Sequence, residues 1–115
     1  MALSIKKVEK WAQKKKVDKL LKALSTEDIE VRIAVIKALG ATKTENAMNA
    51  LIPLLNHADP QIRLNTVEAL GIIGIGRSLE FVRQLWNSEA NEEVREKAKL
   101  AMNAIKENSQ KEEKH

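Results

Sequence analysis

Histidine, the side chain best suited to acid–base work near neutral pH, occurs only at His57 and His115. His57 sits just ahead of Asp59-Pro60, with no second histidine near it in sequence and no cysteine anywhere in the chain. A metal site needs several such ligands converging, and a nucleophilic dyad needs a base beside a hydroxyl or thiol, so neither is expected. The lack of cysteine excludes disulfides, zinc ribbons, iron–sulfur clusters and thiol catalysis within the chain. Gly74-Ile75-Gly76 lacks the third glycine and the preceding strand of a dinucleotide loop, and no phosphate loop or nucleophile elbow occurs. The carboxylates are scattered, with no pair that the sequence sets across a pocket. These residues predict a non-enzymatic protein with no cofactor and no metal.

The basic residues offer binding chemistry instead. Lys6, Lys7, Lys10, Lys14, Lys15, Lys16, Lys19 and Lys22 stand against Glu9 and Asp18, so residues 1–22 carry +6. The remaining 93 positions hold twelve basic and fourteen acidic residues, a net of −2. Such a cluster can bind phosphates through counterion release. It contains no arginine, however, and Trp11 is its only aromatic, so base readout has no support. The expected role is a solvated cap, with contact to nucleic acid or an acidic partner as the alternative. Arg32, Arg63 and Arg95 recur behind Asp28, Asp59 and Asn91. The acidic and amide residues read as helix caps, and the arginines as bridges toward the neighbouring unit rather than an anion ladder.

These side chains are placed by an internal repeat. Val31-Arg32-Ile33-Ala34-Val35-Ile36-Lys37-Ala38-Leu39-Gly40 matches Ile62-Arg63-Leu64-Asn65-Thr66-Val67-Glu68-Ala69-Leu70-Gly71 at an offset of 31, and Val94-Arg95 continues the series at 32. Val31, Ala34, Val35, Ala38 and Leu39 have helical spacing, as do Ala47, Met48, Leu51, Leu54 and Leu55. Each unit is therefore a helix pair of about 31 residues. Gly40 and Gly71 are expected to end the first helices, and Pro53 to bend the second helix of the middle unit. One hairpin cannot bury its own apolar face, so the units must stack. Exposed positions of the second helices recur with the same offset: Lys15, Asn46 and Arg77; Asp18, Asn49 and Glu80; Lys22, Pro53 and Gln84; then Ser25, Asn56 and Asn87. Their amides can donate and accept, which suits contact with another chain.

Asp59-Pro60-Gln61-Ile62-Arg63, Ala38-Leu39-Gly40, Ala69-Leu70-Gly71 and Leu51-Ile52-Pro53-Leu54-Leu55 together resemble the HEAT repeat, in the short bacterial form also called the phycobilisome-lyase-type HEAT-like repeat. The resemblance covers roughly residues 17–106. It implies an all-α, right-handed α-solenoid of about three helical hairpins and about seven helices. It further implies a concave face lined by the second helices, and a scaffold for a protein partner. Some enzymes of the family hold iron with His-Glu pairs, and this sequence has none. Accessory service to a bilin lyase is the other alternative the family name suggests. The expected organisation is one domain over residues 1–106, with an atypical cap helix at 1–16 (Ile5, Val8 and Ala12 inward) and a closing helix at 91–106, then a disordered tail at 107–115. Complete ends suggest a whole small protein, monomeric or weakly homo-oligomeric. With no signal-like or membrane-length apolar run, a cytoplasmic location is expected.

Overall fold

The structure, a computed structural model, describes residues 3–113. Its helices are α1 (Ile5–Gln13), α2 (Val17–Ala23), α3 (Ile29–Thr42), α4 (Glu45–Leu51), α5 (Pro60–Ile73), α6 (Leu79–Ser88) and α7 (Glu92–Glu113). Short 3-10 segments at Ile52–Asn56 and Gly76–Ser78 extend α4 and precede α6, and no strand occurs among the described residues. Helices α1 and α2, α3 and α4, and α5 and α6 follow one another as successive hairpins along the chain, and α6 packs mainly against α7, which closes the stack.

The starts of the helices follow from their caps. Asp28, Asp59 and Asn91 accept from the amides of Val31, Gln61 and Val94 at 3.2, 2.8 and 3.1 Å. Ser4 and Thr44 do the same for Lys7 and Ala47. Each cap stabilises its helix by about 1 kcal/mol. The first helices α1, α3, α5 and α7 pack side by side, and the second helices lie against them. The result is a slab of 43 × 37 × 17 Å, whose thin dimension fits two helix layers. Between the layers the repeat register becomes a core: Val35, Thr66 and Ala98 occupy one equivalent position, and Leu20, Leu51 and Val82 another, all fully buried. Burying each of the larger aliphatic side chains contributes about 1.5–3 kcal/mol. Thr66 is the polar member, and its hydroxyl has no partner.

The glycines work differently from expectation. Gly40 and Gly71 lie inside α3 and α5, which end instead at the left-handed caps Lys43 (φ 53°) and Gly74 (φ 69°). A Cβ on Gly40 would meet the Ala69 Cβ at 2.9 Å, and one on Gly71 would meet the Ala101 Cα at 3.1 Å. They are contact glycines that let consecutive first helices approach. Lys15 (φ 55°) provides the corresponding left-handed turn in the first hairpin.

Other expectations also change. The cap helix spans Ile5–Gln13, and a turn at Lys14–Lys16 separates it from α2. Val8 is buried, but Ile5 is 40% exposed and faces outward. Pro53 does not bend a continuous α-helix; the α-helix stops at Leu51 and the chain tightens into a 3-10 segment around the proline. The tail expected to be disordered after residue 106 continues α7 through Glu113, and only residues 114–115 of it lie outside the described chain. Asn108 Nδ2 donates to the Gly74 carbonyl at 2.9 Å, and Ser109 lies against Gly76. The anchor is polar, so the scarcity of apolar residues after 106 gives no sign of it.

Candidate functional site

Every position of the repeating second-helix ridge is exposed: Lys15, Asp18, Lys22 and Ser25; Asn46, Asn49, Pro53 and Asn56; Arg77, Glu80, Gln84 and Asn87. Helical spacing puts them there, because Leu20, Ala47, Met48, Leu51, Val82 and Leu85 take the buried side of the same elements. Arg77 ties two units together. It donates to Asn49 Oδ1 at 2.8 Å and pairs with Glu45 at 3.0 Å. Glu80 pairs with Arg83 one turn on along α6.

Pro53, Asn56 and Gln84 converge on one cleft of about 300 Å³ between the 3-10 segment and α6. Ile52, Leu55, Leu85 and Phe81 give it an apolar lining. Phe81 is 43% exposed and is the residue that reading the sequence missed. It follows Glu80, so it stands on the stripe beside a position already assigned to solvent, and an aromatic there was the available signal. Lys15 does not join this cleft. It lines a separate hollow with Ala12, Val17, Thr42 and Thr44 near the ends of α1 and α3.

A second feature runs along the edge where one hairpin leads into the next. Arg63 Nε and Nη2 donate to the two carboxylate oxygens of Glu89 at 2.6 and 3.0 Å, and Nη1 donates to the carbonyls of His57 and Ala58. The hydrogen bond from Arg63 holds the Glu89 carboxyl below its ordinary range against the opposing effect of burial. The same hydrogen bond raises the Arg63 guanidinium. Arg32 has the equivalent place one unit earlier but faces His57 Nε2 at 3.5 Å, and its buried Nε has no partner. Arg95 instead lies over the Trp86 ring, 5.8 Å from its centre. So the bridging expected of all three arginines is fully developed only at Arg63.

The basic end forms its own surface. Lys6, Lys7, Lys10, Lys14, Lys16 and Lys19 line a hollow of about 690 Å³ around the half-buried Trp11. Among the described residues, no group of three or more histidine, cysteine or acidic side chains gathers at a potential metal position. No helix there is long and apolar enough to cross a membrane.

Comparison with known proteins agrees with this architecture. The structure is similar to that of human deoxyhypusine hydroxylase in complex with glycerol, with a TM-score of 0.72 and 25% sequence identity. The match covers 82% of this chain and 33% of that one, so the chain spans about a third of the hydroxylase. No curated protein matches the chain in sequence. The hydroxylase is an enzyme, and that likeness overturns the expectation of a non-enzymatic protein: a stack of this kind is shared with a catalyst, so the lack of familiar catalytic motifs did not justify the exclusion. The family described as HEAT repeats matches residues 8–103, the same span over which the hairpins recur, and the chain belongs to that family.

Proposed function

We propose that the chain is an interaction scaffold that holds a protein partner along its second-helix face, anchored at the Phe81 cleft. The observation that carries this reading is the cleft itself: an exposed aromatic and aliphatic lining, rimmed by the amides of Asn56 and Gln84. An apolar centre within an adaptable polar rim is the arrangement of protein-binding surfaces, where aromatic anchors dominate the energy. HEAT-repeat stacks offer extended faces of this kind. The Arg77 links to Asn49 and Glu45 bridge neighbouring second helices across this face, as exposed contacts of modest strength.

Capture of partners from the source cell's extract tests the proposal, with wild type compared against Phe81→Ala/Gln84→Ala. Both side chains are exposed, so the fold survives the change. The double variant is expected to lose the captured partner by roughly 30-fold or more, as loss of a hot spot would give. Ile72→Ala, on the first-helix side of the slab, keeps it. Equal capture by the double variant rejects this face.

A further inference from the structure

We infer that the lysine-ringed hollow at the N-terminal end is a docking site for an acidic polypeptide segment, separate from the Phe81 cleft. The lysines around Trp11 come from α1, α2 and the turn between them, so two helices fold their charges onto one concavity. The ion pairs formed among the described residues involve Arg63, Arg77, Arg83, Lys97 and Lys111, and none of these lysines. Like charges held together without counter-charge repel one another, and that repulsion is relieved by an anionic partner.

Charge complementarity calls for carboxylates or phosphates, and Trp11 decides between them. Lys7 and Lys19 place their ammonium groups over its ring, 5.6 and 5.8 Å from the centre. A nucleobase would have to displace these cations to stack there. Carboxylates need no ring face and can meet the same ammonium groups where they lie. The first 22 residues contain no arginine, which removes bidentate grip on carboxylate and phosphate alike, so the choice rests on the ring. Lysines act as point charges and can meet a run of Glu or Asp whose side chains alternate along an extended backbone.

The test titrates the full chain at low salt with a synthetic hexaglutamate peptide, and separately with a single-stranded oligothymidine of equal charge. A Trp86→Phe background makes Trp11 the fluorescent reporter. The peptide is expected to bind more tightly than the oligonucleotide, with affinity falling as salt rises. Lys7→Gln/Lys10→Gln/Lys19→Gln is expected to weaken it about tenfold, the loss of three exposed ion pairs. Phe81→Ala/Gln84→Ala leaves it unchanged, which separates this site from the second-helix cleft. Equal or tighter binding of the oligonucleotide overturns the proposal in favour of nucleic acid. Absence of peptide binding, or binding that ignores the lysine changes, also overturns it.

Discussion

Thr26, His57 and Glu89 hold one place in successive units: each stands two residues before a helix cap and accepts that cap residue's amide. At His57 and Glu89, where the preceding first helix carries Arg32 and Arg63, what differs is the group offered to that arginine. Glu89 offers a carboxylate, and with Arg63 only 18% and Glu89 only 4% exposed at the side chain, the pair is shielded from water. Removing one member leaves a poorly solvated charge, so Glu89→Gln is expected to cost about 2–3 kcal/mol by chemical denaturation at neutral pH. Because folding lowers the Glu89 pKa, its contribution is complete above the unfolded pKa and is lost as pH falls through the folded one. The stability gap between wild type and Glu89→Gln should therefore close on acidification below the ordinary carboxylate range. His57 uses its Nδ1 lone pair on the Asp59 amide at 3.0 Å. The neutral ring then carries its proton on Nε2, which turns a donor toward a donor on Arg32. His57→Glu gives Arg32 the partner Arg63 already has, and a gain of about 1 kcal/mol is expected, read as a higher midpoint of denaturation. Unchanged or lower stability would mean the two edges are not equivalent.

At the scale of helices, close approach through small residues sets the stack. Gly40 against Ala69 and Gly71 against Ala101 repeat one contact across α3, α5 and α7. The obstacle to a larger side chain at Gly40 is Ala69 itself, whose Cα lies 3.1 Å from the Cβ position and cannot rotate away. Gly40→Val is expected to destabilise by about 3 kcal/mol, whereas Ala41→Val, on the exposed side of the same helix, costs less than about 1 kcal/mol. Equal costs would show that α3 and α5 do not rely on this contact. The repeat spacing made the hairpins, their caps and their core positions legible, because 3.6-residue periodicity and N-cap chemistry are local. The role of Gly40 was not legible, since the same residue type serves a left-handed cap and a close helix contact, and only the neighbouring helix distinguishes them. Lys43 in the left-handed region carries no residue-type signal at all. The end of α7 was hidden for a related reason: Asn108 reaches a carbonyl 34 positions away, at Gly74.

Across the described residues, the basic hollow and the Phe81 cleft lie apart. The basic hollow occupies the N-terminal end, while the cleft with Phe81 lies between the middle and third hairpins. The ridge positions were readable because exposure repeats with the fold, yet the gathering of Pro53, Asn56 and Gln84 into one cleft, and the part of Phe81 in it, depend on how the 3-10 segment at Pro53 meets α6. The rigid stacking of first helices turns these separate second helices into one surface, and this is where a scaffold would meet its partner. The most direct measurement is amide hydrogen exchange on the complex with a captured partner. New protection in Ile52–Asn56 and Leu79–Ser88, with the exposed side of α3 and α5 unchanged, is the predicted result; protection confined to α3, α5 and α7 would contradict it.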